Sequence, residues 1–234
     1  MSLVRFPSIV LFLLLFSVQA VGESKGEWIE VKSTKKLTIF NRGRPGSDIK
    51  EVRAVGILEC APWLCKNVVD RVDKYPKFMP YTKEARIIKT TDTYMLSYQY
   101  LDMPFISDRD YTIKIRDKTY VDKSGTIIYK KAWEPANALG PKVKDGVVRL
   151  VVNEGYWEFK PINGGAQSKA TYYLYTDPGG ALPAFLINKA NTSAIPNLFE
   201  AVEKTSRDPF YQSFKPKGPS GASSSKSPAT PTVP

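Results

Sequence analysis

Apolar and polar residues alternate with period two through most of the middle of this chain, the pattern of strands buried on one face. Lys36–Asn41 and Ile49–Leu58 show it first, joined by the turn Arg42-Gly-Arg-Pro-Gly-Ser47. From residue 85 onward the chain is nearly all strand, with segments expected at about 85–91, 94–101, 109–118, 125–133, 145–153, 155–161 and 169–176. Lys123-Ser-Gly125 and Asn163-Gly-Gly165 supply the tightest hairpin turns, because Asn and Gly tolerate the left-handed backbone that such turns require.

The period shifts to that of a helix in two places. Ala61-Pro62 opens a helix to about Asp73, with proline at a permitted first-turn position and Leu64, Val68, Val69 and Val72 on one face. Tyr75-Pro-Lys-Phe-Met-Pro-Tyr81 stops it and adds aromatic cover. A second helix begins near Leu182-Pro183 and runs to about Thr205, with a kink expected at Pro196. Its stripe comprises Leu182, Phe185, Leu186, Ala190, Ser193, Ala194, Asn197 and Leu198. A long antiparallel sheet with one principal helix near each end is an α+β layout in which the sheet curves around something. The C-terminal helix is the natural lid.

The two ends read differently. Residues 1–20 have the form of a secretory signal, with Arg5 as its positive region, an apolar core from Ile9 to Val18, and cleavage expected after Ala20 or Gly22. The apolar run is short for a membrane span, which needs roughly 17–25 residues, so a secreted or periplasmic protein is expected. Residues 215–234 are rich in Pro, Ser, Gly and Ala, and are expected to form a disordered tail that buries too little surface to offset its ordering entropy. Between them lies one domain's worth of chain, expected to be monomeric.

Composition narrows the chemistry. The chain has no histidine, which removes the commonest general base and with it the usual Ser-His-Asp and Cys-His sites. Cys60 and Cys65 are its two cysteines, either a disulfide, as an oxidising compartment allows, or two small buried side chains. Without histidine they fall short of the usual four zinc ligands, so no metal, cofactor or catalytic residue is assigned. The net charge of +11 favours solubility and contact with an anionic membrane surface. The lysines are spread over many elements without a recognition motif, so nucleic acid is not an expected partner.

Arg109 is the most informative residue. In a strand it shares a face with Tyr111, Ile113 and Ile115, while Asp110, Thr112, Lys114 and Arg116 take the other. A guanidinium on an apolar face needs a carboxylate, with Asp102, Asp108 and Asp110 near in sequence, or the polar group of a ligand. Trp157 and Phe159 face inward by the same alternation, and Trp133 could lie on either side. Arg149 sits in a run apolar on both faces and needs a partner such as Glu134 or Glu154.

Four pieces of the chain, in order and spacing, resemble the START-domain family. They are Asp73-Lys-Tyr-Pro-Lys-Phe-Met-Pro-Tyr81, Ser107-Asp-Arg-Asp-Tyr111, Gly146-Val-Val-Arg-Leu-Val-Val-Asn-Glu-Gly-Tyr-Trp157, and the Asp177-Pro-Gly-Gly180 turn with its helix. The resemblance covers roughly Ile49 to Lys204 and is to the bacterial START-type group of the START/SRPBCC helix-grip superfamily. It implies a START-like domain over 24–208, a long curved antiparallel sheet wrapped around a C-terminal helix, and a cavity enclosing one lipid, sterol or other hydrophobic small molecule. It further implies that Arg109 faces the cavity. The expected cavity lining is Arg109, Tyr111, Ile113, Ile115, Trp133, Arg149, Trp157 and Phe159 from the sheet, and Phe185, Leu186 and Ala190 from the helix, with Gly179 and Gly180 as the hinge of its lid. Phosphatidylcholine carriers of the family place a phosphate-binding arginine in the region of Tyr75-Pro76, where this chain has none, which argues against choline phospholipid specificity. The superfamily also includes polyketide cyclases and aromatases, so an enzyme is the alternative, with a ligand-free envelope interaction module the third.

Overall fold

The computed structural model describes residues 26–104 and 106–214. The expected signal segment, its two cleavage sites and the expected tail at 215–234 lie outside the described residues.

Ten strands form one sheet: β1 (Ile29–Ser33), β2 (Leu37–Arg44), β3 (Ser47–Leu58), β4 (Thr82–Thr90), β5 (Met95–Leu101), β6 (Arg109–Val121), β7 (Ile127–Pro135), β8 (Val148–Arg149), β9 (Val152–Ile162) and β10 (Gln167–Asp177). Their order is β1-β2-β3-β10-β9-β7-β6-β5-β4, every pair antiparallel, with β8 lying parallel to β6 off this path. The turns follow their residues: Gly46, Gly125, Asn163, Gly164 and Gly165 all have positive φ. β1 is absent from the sequence reading because it is a short edge strand exposed along its whole length, held mainly by its backbone ladder to β2.

The expected strand at 145–153 is a correction. Only Val148 and Arg149 pair there, opposite Arg109 and Asp110 of β6. The run is apolar on both sides because it is an irregular crossing segment. Leu150 turns in against Tyr111 and Ile113, whereas Val151 is 73% exposed.

The first helix, α1 (Pro62–Asp70), ends earlier than its apolar stripe suggests, and a 3₁₀ turn over Val72–Lys77 containing Pro76 follows. The C-terminal helix is divided into α2 (Ala184–Ser193) and α3 (Ile195–Ser206), with a last turn α4 (Pro209–Gln212). The division follows from Pro196, which has no N–H to give the carbonyl four residues back. Ala194 keeps helical dihedrals (φ −74°, ψ −22°), so the chain bends at this point without leaving helical space.

The α3 helix fills one half of the concave face. Phe199, Val202 and Ile195 pack on Ile39, Val52, Ala54, Trp157 and Phe159, with α1 closing the same layer. Each such apolar side chain contributes roughly 1.5–3 kcal/mol on burial. The other half of the sheet, β5 and β6 with the outer reach of β7, carries Tyr111, Ile113 and Ile115, which cluster with Leu150 and with Val72 and Tyr75 of the 3₁₀ turn, and with no residue of α1, α2 or α3.

Cys60 and Cys65 form a disulfide across 6.1 Å between Cα atoms, tying the end of β3 to α1. Because it closes a loop of only about six residues, its chain-entropy contribution is near the small end, about 2 kcal/mol. Denaturant unfolding of the Cys60→Ser, Cys65→Ser variant is expected to show a loss of that size with an unchanged m-value; no loss would show that the bond leaves the unfolded chain unconstrained.

Candidate functional site

The uncovered half of the concave face is a cavity of about 500 Å³. Its walls are β5, β6, β7, β9 and β10. Its roof is the inward side of α2 and α3, from Ala190 and Asn191 to Asn197 and Leu198, and its mouth is bordered by Met103, Pro104, Ile106 and Pro178. The inward residues of β6 step along it from Arg109 through Tyr111, Ile113 and Ile115, roughly 6.6 Å per step.

Seven of the eleven residues expected in the lining border the cavity: Arg109, Tyr111, Ile113, Ile115, Trp133, Trp157 and Ala190. Four do not. Phe159 lies one inward step past Trp157, stacked on it at 5.4 Å between ring centroids and fully buried in the packed core. Phe185 and Leu186 point outward, 69% and 46% exposed, because Leu182 and Ile187 take the inward positions against Ile49 and Tyr175. Arg149 projects from the other face of the sheet, where it grips Asp110 with two hydrogen bonds of 2.9 and 2.6 Å and donates to the Pro141 carbonyl. The parallel register of β8 on β6 makes Asp110 its neighbour. Glu134 and Glu154 pair with Arg116 and Arg44 instead.

Arg109 is 3% exposed and its guanidinium meets backbone oxygens, not a carboxylate. It donates to the carbonyls of Ser107, Pro178 (3.2 Å) and Gly179 (3.4 Å). The three nearby carboxylates are engaged elsewhere: Asp110 with Arg149, Asp108 with the Tyr100 hydroxyl, Asp102 with Lys83. Desolvation lowers the Arg109 pKa, opposed by the charge of Asp108. A guanidinium has five N–H groups, so after three carbonyls two remain at the mouth. The same side chain ties the β5–β6 loop to the turn that enters α2. In that turn Gly179 and Gly180 have φ of 67° and 77°, left-handed values that glycine adopts without strain.

Sequence reasoning missed several polar lining residues, chiefly Gln99, Lys131 and Asn153. Gln99 sits opposite Tyr111 in the β5–β6 register and accepts its hydroxyl hydrogen bond at 2.7 Å. The alternation along β5 alone is ambiguous, since Tyr98 is fully buried on the opposite face, bonded to Asp110. Asn153 accepts from the Trp133 indole at 2.9 Å. That indole reaches inward because Gly155 leaves room: a Cβ there would lie 2.5 Å from the Trp133 ring and 2.3 Å from the Tyr173 carbonyl. Burial pushes the phenols of Tyr75, Tyr111 and Tyr172 upward, so all three are neutral at ordinary pH.

At the far end, some eight residues along β6 from Arg109 and so about 26 Å away, Lys131 is 1% exposed and lies between Asp70 (3.2 Å) and Asp117 (3.3 Å). Lys66 joins the same two carboxylates. The cavity thus has a charged, internally balanced floor, apolar walls and a cationic mouth.

This architecture is the helix-grip fold. A family profile described as polyketide cyclase/dehydrase and lipid transport matches residues 67–203, more than half of the chain. The chain belongs to that family, and its fold is the helix-grip fold of the START-type structures it resembles. It is 28% identical over 182 residues to the phosphatidylcholine transfer protein of Mus musculus, covering 76% of this chain and 83% of that one. Among solved structures it is similar to a STAR-related lipid transfer protein fragment from Xanthomonas axonopodis, with a TM-score of 0.67, 22% identity, and 77% and 99% of the two chains covered. Human StAR-related lipid transfer protein 5 matches with a TM-score of 0.65 and 20% identity over 77% of this chain and 86% of that one.

The charged floor sets a pH dependence. Burial pushes the Asp70 pKa up, but the ammonium groups of Lys131 and Lys66 outweigh it and hold the folded value below the ordinary one. A lowered folded pKa stabilises the fold above the unfolded value of about 3.9, and that stability is lost as pH falls through the folded value. In Asp70→Asn the decline of the denaturant midpoint below pH 5 is therefore expected to be shallower than in the wild type. At neutral pH the variant is expected to be about 1–3 kcal/mol less stable. Parallel acid profiles would refute the assignment.

Proposed function

We propose that this protein is an exported, non-enzymatic carrier that holds one lipid, sterol or similar hydrophobic molecule in the cavity beneath its C-terminal helix. The observation that carries the reading is the cavity itself. Its volume of about 500 Å³ falls in the range of small-molecule sites, and its walls are apolar with a few fixed polar groups. Burying roughly 300 Å² of apolar ligand surface there would supply about 7 kcal/mol before ordering costs. Arg109, with two N–H groups left over, orients an oxygen-bearing headgroup at the mouth. The mouse phosphatidylcholine transfer protein and human StAR-related lipid transfer protein 5, to which the chain is similar, are named for lipid transfer, which agrees with lipid as the cargo.

Export is supported by the form of residues 1–20 and by the disulfide, which an oxidising compartment preserves. Contact with an anionic membrane is supported by the net charge of +11 and by exposed apolar residues such as Phe185, Leu186 and Val151. A cyclase-like reading has less behind it. The cavity phenols are pushed away from the range of a general base, and the chain has no histidine.

Native mass spectrometry of the purified protein, followed by organic extraction, tests the carrier reading. A stoichiometric lipid or sterol is expected, and its occupancy is expected to drop in Arg109→Leu while the protein stays folded. An empty, folded protein that takes up none of a lipid panel would shift the assignment to the cyclase-like or interaction-module alternatives.

Gly179 and Gly180 are the hinge of the lid in this proposal. Ligand exchange between vesicles is expected to speed up with anionic lipid and slow with added salt. It is expected to slow further in Gly179→Ala, Gly180→Ala, with equilibrium binding changed less. Equal exchange rates in variant and wild type would remove the hinge.

A further inference from the structure

We propose that Gln99 selects the ligand by its oxygen chemistry: the cavity favours a ketone, ester or carboxyl oxygen, a hydrogen-bond acceptor, about 7 Å inside the mouth. This deepens the carrier reading and rests on it.

Two hydrogen bonds on the cavity wall have a fixed direction. The Trp133 indole N–H can only donate. Asn153 therefore presents Oδ1 to it, at 2.9 Å. The Tyr111 hydroxyl, kept protonated by burial, donates to Gln99 Oε1 at 2.7 Å. With Oε1 turned to Tyr111, the donors of Gln99 are the two N–H groups of its NH₂. Among the described residues that NH₂ meets no protein acceptor. Gln99 is 4% exposed and borders the cavity, so its unmet donor faces the space where a ligand sits.

Gly155 admits the Trp133 ring, and Trp133 sets Asn153. A flip of the Gln99 amide would take Oε1 away from the buried Tyr111 O–H, which donates no other hydrogen bond among the described residues, and would leave that donor unmet. In the β5–β6 register Gln99 pairs with Tyr111, and Arg109 pairs with Leu101, two residues nearer the mouth. The Arg109 guanidinium and the Gln99 amide therefore form two tiers of donors separated by roughly 7 Å. No carboxylate borders the cavity at this level; Asp70 and Asp117 lie at the floor, engaged by lysines.

A carbonyl oxygen accepts from the Gln99 amide without bringing a donor of its own. A hydroxyl at the same place must also place its own O–H beside an oxygen that Tyr111 already occupies, and a hydrocarbon leaves the amide unsatisfied, so each costs affinity.

The test uses matched ligands, cholestenone against cholesterol and methyl palmitate against hexadecanol. Binding to the full mature chain is measured by native mass spectrometry and by displacement of a fluorescent fatty acid. The wild type is expected to prefer the carbonyl member of each pair by about tenfold. Gln99→Glu keeps an acceptor for Tyr111 but replaces the free donor by an oxygen, and is expected to abolish or invert that preference. Gln99→Met, of similar length and apolar, is expected to level it, and serves if the glutamate variant fails to fold. Unchanged preference in folded variants that still bind would overturn the role of Gln99 and leave the carrier reading standing. Failure of the wild type to bind any of the four ligands or the fluorescent fatty acid would overturn both.

Discussion

The rest of the structure depends on incomplete coverage of one sheet. Ten strands present a concave apolar face wider than the helices that pack on it. The α3 helix and α1 fill the half over β3, β10 and β9, where Phe199, Val202 and Trp157 interlock. Over β5 and β6 the same kind of inward-facing side chain clusters with Val72 and Tyr75 of the 3₁₀ turn and with no residue of α1, α2 or α3. Apolar surface left without packing partners forgoes the dispersion and hydrophobic gain that a filled core provides. A molecule that supplies the missing contacts recovers it. The cavity is thus a consequence of how far the C-terminal helix reaches across the sheet, and its bend at Pro196 sets that reach.

Around that space the polar groups are arranged by the cost of desolvation. Where charges are buried deep, they are matched: Lys131 and Lys66 share Asp70 and Asp117. Asp110 on the outer face is fully buried and gripped by Arg149 and Tyr98. Arg109 differs, because carbonyl dipoles, and no carboxylate among the described residues, take its hydrogen bonds, with the charge of Asp108 acting on it without a bond. Placed where two mouth loops meet, it couples the geometry of the entrance to the chemistry that the entrance presents. Its five donors are enough to hold both loops and still face a ligand.

Much of the fold was legible in the sequence wherever one face of an element is buried and the other is wet. The alternation Arg109, Tyr111, Ile113, Ile115 pointed to the cavity wall, and the turns at Gly125 and at Asn163 to Gly165 were marked by residues that tolerate positive φ. The reading went wrong where periodicity is the same for two outcomes. Phe159 has the same parity as Trp157 but lies under α3, so its position along the strand, not its face, makes it core. The stripe on α2 included Phe185 and Leu186, yet Leu182 and Ile187 are the residues that meet the sheet. In a short helix an angular offset of one residue is decided by the docking partner.

By itself the sequence determined the class: most of the strands, where the turns fall, that a proline-bent helix follows the last strand, and that an arginine faces inward. These are local properties, set by side-chain period, backbone tolerance and the absence of an N–H on proline. The tertiary structure decided the site. Gln99 and Asn153 acquire their meaning from Tyr111 and Trp133 across the sheet, Asp110 and Arg149 from a two-residue parallel pairing, and Lys131 from carboxylates on α1 and β6. Such contacts join residues distant along the chain. A hydrogen bond or ion pair is defined by separation in space, and one strand's pattern holds no information about what its neighbour places opposite it.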